Sequence, residues 1–190
     1  AGFEITMSYL TRQYGASDLV EGDVIICNDP YTGGQHIMDL YAIAPVFADG
    51  GLIGFVGNIT HHSDLGGVAA GGVAGGINEI YLEGLRLPMV KLHKAGVEDV
   101  EIVAIITNQI RVPEKTWGDI HAQISALMVG VNRLKSLHKR YTSAVVIRSC
   151  NDLMDYSERR MREGLKQLPD GTYTGEDVID DDGINDTPLY

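Results

Sequence analysis

Helical spacing, then strand-type runs, then helical spacing again divide this 190-residue chain. Ile5, Leu10 and Tyr14, with Met7 nearby, mark a weak helical face that ends near Gly15. Val24 to Cys27 is a short apolar run of strand type, and Asn28 to Gln35 is a loop punctuated by Pro30 and Gly33-Gly34. Met38–Phe47 and Leu52–Thr60 are two β-rich apolar runs joined by Ala48-Asp49-Gly50-Gly51, which predicts a hairpin. Both runs are apolar on both faces in places, so the sheet should be covered on two sides.

The glycine-rich stretch Gly66–Gly76 reads as a mobile surface loop or lid; it lacks the lysine and spacing of a phosphate-binding loop. Glu79–Leu92 is mixed. Val97–Asn108 reads as a helix with Val100, Val103, Ala104 and Ile106 apolar, and Pro113 then breaks the chain. Trp117, Ile120, Ile124, Leu127, Val131, Leu134, His138 and Tyr141 alternate spacings of three and four, the core face of one long helix. A second helix should run from about Ser143 to Leu168, with Leu153, Met161 and Leu165 inward and a charged later half. Two such helices predict an antiparallel hairpin. The fold class that follows is mixed α/β, with a central apolar β-hairpin or sheet in the first half and long antiparallel helices in the second.

Composition narrows the classes of function. With 44% hydrophobic residues the chain is globular, and a net charge of -11 without basic clusters disfavours nucleic acid and anionic membrane surfaces. The uncharged stretch Gly50–Ser63 is too short to span a bilayer. Two distant cysteines, Cys27 and Cys150, predict no disulfide framework and suit a reducing cytosol. The chain opens without Met and closes on DDDGINDTPLY just after a turn-strand pattern (Gly171–Asp182) begins, so it reads as an internal piece of a longer polypeptide.

Candidate chemistry gathers at the ends of the two central strands. Antiparallel pairing through Asp49-Gly50 would set Asp39 opposite Thr60 and bring His36 and Asp39 near His61 and His62. Imidazoles and a carboxylate converging there form a divalent-metal pattern for Zn, Mn or Fe. The same residues also fit a second reading, in which His36 and Asp39 cap a turn and His61-His62 is a polar strand end. Strand neighbours point to opposite faces, so His61 and His62 should not ligate one ion, whereas Asp64 shares the face of His62 and would orient it. His36 would sit in the loop, folded back by Gly33-Gly34. His93, His121 and His138 read as surface or structural residues. There is no GxSxG elbow and no His beside either Cys, so nucleophilic catalysis lacks support.

The blocks GDVIICNDPYTGGQHIMD, APVFADGGLIGFVGNITHHSDLGG, EIYLEGLRLP, NQIRVP, GDIHAQ and LPDGTYTGED, taken in order, resemble the hydantoinase B family. That family includes the B subunit of N-methylhydantoinase, the matching half of 5-oxoprolinase and a subunit of acetone and acetophenone carboxylases. The resemblance implies that residues 1–190 are part of one hydantoinase B-type domain, truncated at both ends. It implies a cytoplasmic hetero-oligomer with a hydantoinase A-type ATPase subunit or fused domain, which binds ATP in place of this chain. It implies a divalent metal, Zn or Mn, held by His36, Asp39 and His61, with a further carboxylate ligand from a segment well upstream. The expected activity is ATP-dependent opening of a small cyclic amide (a hydantoin, oxoproline or lactam), with His62 or Asp64 supporting the ligands or accepting a proton. The alternatives are an ATP-dependent ketone carboxylase subunit and a non-catalytic partner-binding fragment. NQIRVP departs from the family's N-x-R-x-P spacing, which leaves the role of Arg111 open.

Overall fold

The computed structural model describes residues 2–72 and 74–178. The chain divides into two units, Ala1–Val146 and Ile147–Tyr190. The first contains α1 (Gly2–Gln13), β1 (Val24–Cys27), β2 (Asp39–Ala48), β3 (Gly51–His61), β4 (Val90–Lys94), β5 (Val97–Glu98), α2 (Val100–Gln109) and α3 (Pro113–Tyr141). α4 (Ser143–Leu165) begins there and makes up most of the described part of the second unit. The five strands form one sheet in the order β3-β2-β1-β4-β5, antiparallel throughout. The mixed α/β class is as the sequence predicts.

Side-chain alternation along β1 and β2 builds two cores. Val24 and Ile26 of β1, with Leu40, Ala42, Ala44 and Val46 of β2, pack with Ile120, Ile124, Leu127 and Val131 of α3. Ile25, Cys27, Tyr41 and Ile43 point to the other face, where α1 covers them with Leu10, Phe3 and Met7. This is the two-sided burial expected from strands apolar on both faces. The α3 stripe holds as far as His138, which is buried with Nδ1 2.7 Å from Ser143 Oγ, while Tyr141 is exposed.

Four local expectations are corrected. In α1, Ile5 is exposed; the face turned inward is Phe3, Met7 and Leu10, and the helix ends at Gln13. α2 starts at Val100 rather than Val97, because Asp99 caps it by accepting from the backbone N–H groups of Glu101 and Ile102. Val97 and Glu98 pair with β4 instead. α4 buries no residue, and Leu153, Met161 and Leu165 are all exposed. Residues 171–178 contain no strand, and the rest of the expected Gly171–Asp182 turn-strand lies outside the described residues. Among the described residues no helix is long and apolar enough to cross a membrane.

Candidate metal centre

The hairpin turn is where the sequence places it. Asp49 and Gly50 both take positive φ (52° and 78°), as a two-residue turn of the mirror-image type requires. From that turn, Ala48 pairs with Gly51 and Phe47 with Leu52, but Val46 pairs with Gly54. Ile53 is therefore an extra residue, and the bulge advances β3 by one position. His61 consequently stands opposite Asp39, and Thr60 opposite Leu40. The expected Asp39–Thr60 pairing is off by this one residue, and the bulge is what aligns an imidazole with the carboxylate.

Asp39 sits at the base of the site, its side chain 12% exposed, while His36 and His61 are 71% and 57% exposed at the mouth. His61 Nδ1 lies 2.7 Å from Asp39 Oδ1, and His36 Nδ1 lies 2.9 Å from Oδ2. The imidazole rings meet edge to face, 5.8 Å between centroids. Burial alone would raise the Asp39 pKa, but hydrogen bonds from His61, from the His36 backbone and from the His36 ring outweigh it and hold the carboxyl below its usual value. One ligand atom from each of His36, Asp39 and His61 lies within 4.8 Å of the others, and among the described residues no other His/Cys/Asp/Glu group does so. Two imidazoles and a carboxylate, with no thiolate, suit Zn or Mn.

The loop before His36 is shaped by residues with separate tasks. Asp29 caps the short 3-10 turn Pro30–Thr32 by accepting from the Tyr31 N–H. Gly33 follows with φ 110°, which a Cβ would strain, and a Cβ on Gly34 would lie 2.6 Å from the Asn28 carbonyl oxygen. The chain thus folds back as the paired glycines predict, and the His36 N–H reaches Asp39 Oδ2 at 3.2 Å.

Two of the candidate residues stand apart from this triad. His62 lies on the other face, 2% exposed, with Nε2 3.0 Å from Gln123 Oε1. Burial pushes its pKa down. Asp64 does not orient it: Asp64 accepts from the Arg111 N–H (2.8 Å), the Arg111 guanidinium (2.7 Å) and the Gly66 N–H (3.0 Å). Arg111 also donates to the Gly67 carbonyl, and the Val68 N–H to that of Leu82, so the first part of the glycine-rich stretch is tied down. Elsewhere, Glu98 stands 2.9 Å from His121 Nε2 and 3.7 Å from His93 Nε2. Burial, reinforced by the Asp29 charge, pushes the Cys27 thiol up to about 12, far from a reactive thiolate.

Sequence reasoning missed two polar residues. Asn28 is fully buried and donates to the carbonyls of Ile37 (2.6 Å) and Leu85 (2.9 Å) while accepting from the Leu87 N–H (2.6 Å). It fixes the residue directly after His36 to the Leu85–Leu87 segment. Gln123 is the other; its signal was available, as a polar residue three positions after Ile120 on the apolar stripe of α3.

An antiparallel sheet covered on both faces, with two histidines and an aspartate at one strand end, is the frame on which the family is shown. The chain belongs to the hydantoinase B/oxoprolinase family, whose model matches residues 2–189. It is 36% identical over 166 residues to the beta subunit of the caprolactamase of Pseudomonas jessenii, covering 87% of this chain and 29% of that one. It is 37% identical over 162 residues to the B subunit of a putative D-/L-hydantoinase of Pseudomonas sp. (strain NS671), covering 84% and 27%. The crystal structure of the ATP-dependent caprolactamase from Pseudomonas jessenii superposes with a TM-score of 0.83 at 34% identity, over 90% of this chain and 29% of that one. A nucleotide-free acetone carboxylase structure shares the fold, with a TM-score of 0.66 at 20% identity over 73% and 19%. The chain thus spans less than a third of the length of these relatives.

Proposed function

We propose that this chain supplies the metal-binding part of an ATP-dependent hydrolase that opens a cyclic amide. The observation that carries this reading is the His36–Asp39–His61 cluster, gathered within 4.8 Å, in a chain related to one of the subunits of a caprolactamase. Asp39, anchored at the base, and the two open imidazoles would hold a divalent ion, Zn or Mn. When bound, such an ion supplies Lewis acidity, stabilising negative charge on a reacting oxygen and making water more acidic. Both imidazoles are open to solvent, so a substrate could reach the ligands.

The amide itself is a poor electrophile. In this reading a hydantoinase A-type ATPase partner, as a subunit or fused domain, transfers the γ-phosphoryl group of ATP to the amide oxygen. ADP leaves with that transfer. Water then adds to the activated carbon, and the ring C–N bond breaks to free the amine and leave an acyl phosphate. A second water hydrolyses the acyl phosphate to carboxylate and phosphate. This chain binds no ATP in that scheme. His62 and Asp64 do not bond to Asp39 or to the two exposed histidines. We assign them positioning roles, His62 beside His61 and Asp64 in holding the loop that follows. A cytosolic hetero-oligomer completes the reading; the free Cys27 and Cys150 fit a reducing compartment.

The test uses the full-length protein with its ATPase partner. ATP-dependent release of phosphate and a ring-opened product from a lactam, 5-oxoproline or hydantoin panel, without bicarbonate, is expected. The likeness to acetone carboxylase is one of fold, and it motivates the rival: a strict bicarbonate requirement with a ketone substrate would replace hydrolysis by carboxylation.

A further inference from the structure

Gln123 spends its whole amide at the helix–sheet junction. Its Nε2 donates to the Leu40 carbonyl (2.8 Å) and to Asn58 Oδ1 (3.1 Å), which uses both N–H groups. The remaining atom, Oε1, faces His62 Nε2 at 3.0 Å. An amide oxygen only accepts, so the proton of His62 is on Nε2. His62 Nδ1 is buried and has no hydrogen-bond partner among the described residues. Gln123 therefore makes the one hydrogen bond that orients this ring.

The two ends of that amide land on particular positions. Leu40 directly follows Asp39, and His62 directly follows His61. The strands are joined at the same level by the His62 N–H, which donates to the Met38 carbonyl at 2.9 Å. One side chain from α3 thus grips the residue after each of the two strand-borne members of the cluster. Asn58 touches Gln123 as well, donating to its backbone carbonyl at 2.9 Å, but none of its side-chain hydrogen bonds reaches Leu40 or His62.

We propose that Gln123 is a positioning residue for the metal centre: by holding Leu40 and His62 with one amide, it sets the spacing of Asp39 and His61. This role rests on the reading that His36, Asp39 and His61 bind a divalent ion.

The test measures Zn2+ affinity of the full-length protein by competition with a chromogenic chelator, together with the melting temperature. Gln123→Met keeps the volume but loses all three side-chain bonds, and zinc affinity is expected to fall about 10- to 100-fold, as for the loss of groups that orient ligands. Asn58→Ala perturbs the same junction without touching Leu40 or His62, and should keep zinc affinity within about threefold of wild type despite a lower melting temperature. Gln123→Glu, which keeps an acceptor for His62 but loses the donor to Leu40, should fall between wild type and Gln123→Met; it serves if the Met variant does not fold. A folded Gln123→Met with wild-type zinc affinity overturns the role, as does an equal loss in Asn58→Ala, and with the Met variant unfolded a Gln123→Glu of wild-type zinc affinity does the same. Wild-type protein that takes up neither zinc nor manganese overturns the metal reading beneath it, a result distinct from the other three.

Discussion

Asp39 and His61 are direct cross-strand partners, joined by a 2.7 Å contact between Oδ1 and Nδ1, although 22 positions separate them in sequence. The alignment depends on the single extra residue at Ile53, since the turn alone would bring Thr60 to that place. Successive strand residues point to opposite faces, so an imidazole at position 60 would turn away from Asp39. The paired change His61→Thr with Thr60→His is therefore expected to lose metal affinity as fully as His61→Ala, by more than about 100-fold. Affinity near wild type in the transplanted variant would contradict this register.

Asn28 holds the His36 loop to the segment before β4. Asn28→Asp keeps an acceptor for the Leu87 N–H but replaces the donor facing Ile37 and Leu85 with a buried charge against two carbonyls. A cost of about 3 kcal/mol is expected, from two acceptors stripped of their donor in a buried site. Urea denaturation measures it. An unchanged midpoint would mean that the amide is not the clamp described.

The strand pair, its turn and the members of the cluster were legible in sequence because their signals are local: Asp49-Gly50, the flanking apolar runs, and Gly33-Gly34 ahead of His36. The exact register was not, because the extra residue at Ile53 lies away from the turn and leaves no turn signature. The partner of His62 was misassigned for a similar reason. Asp64 is near in sequence, yet its oxygens go to Arg111, 47 residues away, and His62 finds Gln123, 61 residues away. Patterning showed that α4 carries apolar residues but could not show that they stay exposed.

The pairing of Asp64 with Arg111 predicts a pH dependence. Burial would raise the Asp64 pKa, but the Arg111 and Gly66 N–H groups and the guanidinium charge outweigh it, and the folded value lies below the ordinary one. A depressed carboxyl stabilises the fold above the unfolded pKa, about 3.9, and that stabilisation is lost as pH falls through the folded value. Asp64→Asn should cost about 2 kcal/mol near pH 7, discounted because Arg111 is half exposed. The gap to wild type should be flat from neutrality to about pH 5 and narrow below about pH 4. A gap that widens on acidification would refute the assignment.

Metal content of the full-length protein bears most directly on the central claim. Purified wild-type protein, analysed by inductively coupled plasma mass spectrometry after dialysis, is expected to carry about one Zn or Mn per chain. The Asp39→Ala and His36→Ala/His61→Ala variants, with folding confirmed by circular dichroism, are expected to carry essentially none. Wild-type protein without stoichiometric metal, or variants that retain it in full, would contradict the account.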